Sequence, residues 1–310
     1  MTHSSPDAPA QHRWSGLGFA LLSALAFGGS GVFAKPLMQL GFTPFEVTWL
    51  RLGIMAVLMS PLVWQHRALI KHNWRLLIGY GVIPMAGVQA LYFSAVERIP
   101  VSIALLIEFM GPILVLIWIG VIQRQPIARS AIAGVLLAAL GLVALLEVWD
   151  GLQLDPLGLL FAALAAGCQA AYFVMSDAAR DRVEPLALIA MGSLVAWLLM
   201  TLLAQPWHMP WGLLGGTVML SQQVIPALGA VAWMGLISAV VAYWAGVNAI
   251  RRLSPAVASG VAYLEVVTAI VLAWWLLQES LSWIQVGGAI VVCFGAWLAQ
   301  RGTPKRAVGA

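Results

Sequence analysis

Three ionisable side chains fall inside long apolar runs of the chain: Arg51, Glu108 and Glu265. A charge at the centre of a bilayer costs about 2.5–3.5 kcal/mol on insertion scales, so such a group lines a cavity or finds a partner. Glu108 and Glu265 can bind a substrate ammonium, carry a coupling proton, or do both. The bland alternative is a structural carboxyl that joins two helices. Arg51, five residues after Glu46, has a stem long enough to snorkel to the outer interface. Anchoring there is its expected role, with carboxylate pairing or substrate-carboxylate binding as the alternatives. Uncharged polar residues at similar depth are Ser30, Gln89, Tyr92, Gln169, Tyr172, Tyr243 and Tyr263. Gln89 and Tyr92 are three apart, as are Gln169 and Tyr172, so each pair shares a helical face that can line a polar path. Of the 15 tryptophans, most sit near the ends of apolar runs (Trp14, Trp64, Trp74, Trp149, Trp207 and Trp211), as an interfacial belt requires. Trp118, Trp197, Trp244 and Trp274 lie deeper, and Trp244 joins the residues expected to touch substrate.

Several chemistries have no residues to run on. There is no GxxxxGK[ST] loop for a nucleotide phosphate and no HExxH. All five histidines (His3, His12, His66, His72 and His208) lie outside the apolar runs. Cys168 and Cys293 stand alone and make neither a disulfide framework nor a metal cluster. No aspartate cluster suits a magnesium-bound phosphate, and nothing resembles a channel filter. No catalytic residue, metal or cofactor is expected. Composition agrees: 62% of the 310 residues are hydrophobic and 9% charged, against about 45–50% and 25% in ordinary soluble domains. A net charge of +4 over this length forms no basic patch, so a nucleic-acid partner is excluded. The expected partners are a lipid bilayer and a small-molecule substrate.

The elements that must position these groups are membrane spans of about 20 apolar residues. Ten such runs are read at 14–34, 44–64, 74–96, 100–122, 128–146, 156–176, 185–204, 226–248, 254–277 and 281–299. The first is too long for the apolar core of a signal peptide and is kept as a permanent helix. With a cytoplasmic N-terminus, thirteen of the 16 Lys and Arg fall inside, and only Lys35 and Arg98 lie in outer loops. The positive-inside rule then places both termini in the cytoplasm. The loop with Glu147, Asp150 and Asp155 and the uncharged loop 205–225 fall outside. GGSG at 28–31 and Pro84, Pro112 and Pro226 are expected to break or loosen helices. Ala20, Ala24 and Gly28, like Ala163, Gly167 and Ala171, recur every fourth residue as close-packing stripes.

The chain is also duplicated. A shift of 154 positions brings Gly81 onto Gly235, Ala95 onto Ala249, Arg98 onto Arg252, Ala104 onto Ala258, Gly134 onto Gly288 and Gly141 onto Gly295. A shift of 142 brings GLGFA (16–20) onto GLLFA (158–162). The expected units are a cytoplasmic tail 1–13, five-helix repeats 14–146 and 156–299, and a cytoplasmic tail 300–310. Because five is odd, the second repeat enters the membrane from the opposite side. Inverted repeats are the architecture of many secondary transporters, with the site near the midplane between them. The expected fold class is all-α integral membrane, ten helices as two inverted five-helix repeats.

The stretch LEVVTAIVLAWWLLQESLSWIQVGGAIVVCFGAWLA (264–299) resembles the closing signature of the EamA-type drug/metabolite transporter superfamily. RIPVSIALLIEFMGPILVLIW (98–118) resembles the Glu-Phe-x-Gly-Pro segment of its bacterial threonine/homoserine exporter branch. The resemblance spans all ten runs. It departs from the family at Glu265-Val266, where a Glu-Pro pair is usual, so the family pattern no longer implies a kink there. It implies a bacterial inner-membrane exporter of amino acids, aromatic compounds or related small metabolites, working by alternating access and open to proton coupling. The alternative from another class is an integral membrane enzyme or lipid-handling protein acting on a lipid-soluble substrate.

Overall fold

The computed structural model describes the chain apart from residues 1–7, 119–120, 122–123, 125–127, 146–153, 180–181, 253–254 and 302–310. It also leaves out the side chains of 8–14, 112, 177, 250–252, 255–263, 296 and 299–301. The chain is mostly helical: α1 (Ala8–Leu40), α2 (Pro44–Leu58), α3 (Ser60–Gln65), α4 (Ala68–Tyr80), α5 (Val88–Val96), α6 (Val101–Glu108) and α7 (Gly111–Ile117) form its first part. The second comprises α8 (Arg129–Leu145), α9 (Pro156–Ala179), α10 (Pro185–Ala204), α11 (Ala227–Ala232), α12 (Ala242–Arg252), α13 (Pro255–Leu277) and α14 (Trp283–Arg301). π-Helical segments, Gly81–Gly87 and Trp233–Val241, join α4 to α5 and α11 to α12.

Five helical stretches are long and apolar enough to cross a membrane: Ser15–Leu40, Ala68–Val96, Pro156–Ser176, Pro185–Ala204 and Ala227–Ala249. Of the other expected spans, 128–146, 254–277 and 281–299 are each a single helix (α8, α13 and α14), and two are divided. The run 44–64 is split at Met59 before Ser60-Pro61, and 100–122 is split at Phe109-Met110 before Gly111. Pro61 and Pro112 have no N–H for the carbonyls of Val57 and Glu108 four residues earlier, so the helix stops and restarts with proline in its first turn.

Several local expectations are revised. Residues 8–13, read as tail, belong to α1. GGSG does not break α1, which runs through it unbroken. A methyl group on Gly28 would lie 2.9 Å from Thr268 Cβ, and one on Gly31 would strike the Tyr92 hydroxyl. The small residues therefore admit neighbouring helices rather than bend their own. Pro226 closes a strand and starts α11, and Pro84 lies inside the first π-helical segment. The loop 205–225 carries a two-stranded antiparallel hairpin, β1 (Thr217–Leu220) with β2 (Gln223–Pro226). On α9 the expected stripe fails: Ala163 and Gly167 are exposed, while Ala162, Ala165 and Ala166 are buried. That buried face is the one that continues to Gln169 and Tyr172. Helix α13 passes straight through Glu265-Val266.

Caps account for where helices begin. Thr43 accepts from the Glu46 amide while the Glu46 carboxylate accepts from the Thr43 amide at 2.7 Å, a capping box with Pro44 at the first helical position. Asp155 accepts from Leu157 N at 2.8 Å at the start of α9 and from Arg98 Nη1 at 2.9 Å. The Arg98 guanidinium, aided by the Leu157 amide, holds the Asp155 carboxyl below its ordinary range.

Helix contacts come in matched sets. Helix α1 packs on α12 and α13, and α9 packs correspondingly on α5, α6 and α7. Helix α10 meets the first π-helical segment as α2 meets the second, while α2 pairs with α10 and α8 with α14. The α8–α14 contact brings backbone against backbone. A methyl on Gly288 would lie 2.6 Å from Leu145 N and 2.8 Å from the Gly141 carbonyl. One on Gly295 would meet Ala138 N and the Gly134 carbonyl. Gly141 thus faces Gly288 and Gly134 faces Gly295, so the two helices run antiparallel. The shift that maps 134 onto 288 and 141 onto 295 exchanges the two contacts. The same shift carries the first π-helical segment onto residues 235–241, inside the second.

Candidate functional site

A cavity of about 250 Å³ lies among α1, α2, α5, α6, α9, α12 and α13. The structure brings Ser30, Gln89, Tyr92, Glu108, Gln169, Tyr172, Tyr243 and Glu265 to its wall. Each arrives by a local rule. Gln89 and Tyr92 share one face of α5, and Gln169 and Tyr172 share one face of α9. Glu108 is the last residue of α6, beside the break that separates it from α7. Tyr243 meets Phe27 edge-on at 4.8 Å between centroids. The side chain of Tyr263 lies outside the described residues. Trp244 is not in the wall: it is 44% exposed and packs edge-on against Phe19. One residue after Tyr243, it is turned about 100° away on a helix of 3.6 residues per turn. Of the other deep tryptophans, Trp118 and Trp274 are exposed, and Trp197 lines a separate apolar recess with Trp49 and Trp211. Trp64, Trp74, Trp207 and Trp211 are exposed, while Trp14 and Trp149 fall outside the described side chains.

Arg51 requires a correction. It does not reach an interface; it is 4% exposed and lines the cavity. Its Nη1 donates to Ser30 Oγ and its Nη2 to the Ser238 carbonyl at 2.7 Å, and the guanidinium carbon sits 5.7 Å from the Phe93 ring centroid. The capping box explains the depth. Because α2 starts at Pro44, Arg51 lies two turns inside and points at α1 and the second π-helical segment. The pattern Thr43-Pro44-Phe45-Glu46 was the available signal.

Buried polar groups ordinarily have partners. On the cavity-lining residues, Arg51 Nε, both amide atoms of Gln89 and Glu108 Oε2 find none among the described residues; Ser238 Oγ and Trp197 Nε1, outside that wall, find none either. The lining residues therefore hold buried donors and acceptors without partners, which a molecule seated in the cavity would engage as the side chains turn toward it. Toward one end it reaches Ser23, whose hydroxyl donates to the Ala242 carbonyl, and Ala249. The other end is tied. Glu279, just past α13, accepts from Lys35 Nζ on α1 at 2.8 Å, from Val101 N at 3.2 Å and from Ser102 Oγ at 3.1 Å at the start of α6. Phe42, just past α1, is buried in the same core as Met209, Val218 and Leu220 of the 205–225 loop. The tie joins residues as much as 244 positions apart, and no local pattern announces it. Among the described residues no three His, Cys, Asp or Glu gather as a metal site would need.

Apolar helices long enough to span a bilayer, enclosing a mainly apolar cavity that carries polar side chains from both halves of the chain, define a multi-pass membrane transporter. The chain belongs to the EamA-like transporter family, which matches residues 14–146 and again 156–300. It is 29% identical to the threonine/homoserine exporter RhtA of Escherichia coli strain K12 over 298 residues, 94% of either chain. It is 27% identical over 268 residues to the uncharacterized transporter YwfM of Bacillus subtilis strain 168, covering 85% of this chain and 86% of that one. A solved structure shares the fold with a TM-score of 0.60 at 19% identity, covering 94% of this chain and 98% of the other.

Proposed function

We propose that this protein is a secondary transporter of the bacterial inner membrane that exports amino acids or related small metabolites by alternating access. The cavity is the substrate site, and Glu108 or Glu265 binds the substrate ammonium, carries a coupling proton, or does both. The observation that carries this reading is the set of buried polar atoms left without partners in one cavity between the halves. A volume just under the roughly 300–1,000 Å³ of pockets for drug-sized ligands suits a small metabolite. The name of the relative RhtA supports threonine or homoserine as the first solutes to try. The antiparallel α8–α14 seam supports two inverted five-helix repeats, because exchanging its contacts requires an axis across the helices. The cation bias supports cytoplasmic termini, which puts the Lys35–Glu279 tie at the outer end of the cavity.

The test is flux in liposomes reconstituted with the full chain, with labelled threonine, homoserine and aromatic amino acids, and with or without a pH gradient. Saturable movement of chemically unchanged solute is expected. A chemically altered product, or lipid movement between leaflets without solute flux, would replace transport by the membrane-enzyme or lipid-handling reading.

In this reading the Glu279 tie is the outer closure. Losing one charge-assisted hydrogen bond removes about 1.5–3 kcal/mol, so Glu279→Gln should shift the balance toward the outward-open state by tenfold or more. Gln89→Cys in a chain lacking Cys168 and Cys293 should then react at least tenfold faster with a membrane-impermeant thiol reagent added outside. Unchanged labelling would remove Glu279 from the closure.

A further inference from the structure

Arg51 is only partly accounted for by its protein neighbours. A guanidinium presents five N–H donors in a planar fork and keeps its charge. Here the two terminal nitrogens are held by Ser30 and by the Ser238 carbonyl, which pins the plane between α1 and the second π-helical segment. The Nε edge, fixed by those bonds, donates to nothing among the described residues. No carboxylate stands within 4.0 Å of it among those residues, although Glu108 and Glu265 lie within electrostatic reach in the same cavity. A buried cation without an anion in contact is costly. Two hydrogen bonds would serve a mere tether between helices; a tether needs no third donor left buried and unpaired on a cavity-lining side chain. Glu108 Oε2 and the Gln89 amide stand equally unpartnered in the same wall.

We infer that Arg51 receives the carboxylate of the transported molecule and that, with Glu108 for the ammonium, it restricts the substrate to zwitterionic α-amino acids. The inference rests on the transport reading and deepens it. A side-on carboxylate would take Nε–H together with a free N–H of a terminal nitrogen, the bidentate geometry for which arginine is suited.

The experiment is competition against labelled L-threonine counterflow in proteoliposomes of the full-length protein. L-Threoninamide keeps the ammonium and loses the carboxylate; 2,3-dihydroxybutanoate keeps the carboxylate and loses the ammonium. Each should compete about 10–100-fold more weakly than threonine, the range expected for losing a charge-assisted contact. Arg51→Lys retains the charge without the fork. It should raise the half-saturation for threonine about tenfold and narrow the gap between threonine and its amide. Threoninamide competing as well as threonine on the wild type would overturn the assignment while leaving transport intact. So would an Arg51→Lys variant with reduced flux and an unchanged gap, the behaviour of a tether. If that variant does not fold, the wild-type competition decides alone. Absence of amino-acid flux in the wild type would overturn this inference, and absence of flux for any small solute would overturn the transport reading with it.

Discussion

Glu108→Gln is expected to raise the half-saturation concentration for substrate about 10–100-fold, the equivalent of losing one charge-assisted hydrogen bond of about 1.5–3 kcal/mol. The substitution is nearly isosteric, so packing at the α6–α7 break is preserved. What changes is the charge of a group that is 6% exposed and has one oxygen without a partner. Glu265 sits in the same wall on an unbroken helix and is less deeply buried. Exchange of a proton with water is easier for the less buried carboxyl. Glu265→Gln is therefore expected to abolish the response of flux to a pH gradient while leaving threonine counterflow running, since counterflow needs the substrate site and no proton. Counterflow across substrate concentrations, beside uptake with and without an imposed gradient, separates these effects in one set of vesicles. Full activity of both variants, together with indifference to the gradient in the wild type, would sink proton coupling and leave the two carboxyls structural.

A second large effect belongs to the seam between α8 and α14. Gly288→Leu drives a side chain into the backbone of α8, where even a methyl group would meet Leu145 N at 2.6 Å and the Gly141 carbonyl at 2.8 Å. Backbone atoms cannot rotate aside as a side chain can, so the helices must separate. Overpacking of this kind costs about 1–3 kcal/mol, and more where the obstacle is rigid, which is a large part of a typical folding free energy of about 5–15 kcal/mol. Detergent-solubilised Gly288→Leu should lose its monodisperse peak and melt well below the wild type. Gly287→Leu is the control one residue away, because a methyl group there meets nothing within 4 Å. Equal melting of the two variants would show that the seam is not the close contact described. The comparison also bears on the repeat, since the same contact is made a second time by Gly134 and Gly295.

What could be read from the sequence was whatever depends on composition and period. Long apolar runs dictate helices, because a backbone in lipid must satisfy its own hydrogen bonds. Polar residues at those depths had to converge, and the i, i+3 pairs on α5 and α9 arrived on the faces their spacing implied. The shift of 154 positions was legible because duplicated helices keep their small residues where they pack. Pairing across the chain was not legible. The sequence placed Arg51 at an interface because snorkelling is the usual escape of a long cation; Ser30 and Ser238, 21 and 187 positions away, hold it inside instead. Trp244 was assigned by depth alone, but one residue of helical rotation carries it off the cavity face. The stripe at Ala163 and Gly167 failed for a related reason: small residues mark a face that can pack closely, and only the neighbouring helices choose which face does. GGSG looked like a hinge because glycine loosens an isolated helix, whereas against Thr268 and Tyr92 it allows close contact. Local sequence thus determined the helices, the depth of the uncharged polar groups and the two carboxyls, and the internal duplication. The tertiary structure alone decided which polar groups share one cavity, which atoms stay unpartnered there and which end Glu279 ties, because these depend on contacts between residues far apart in the chain.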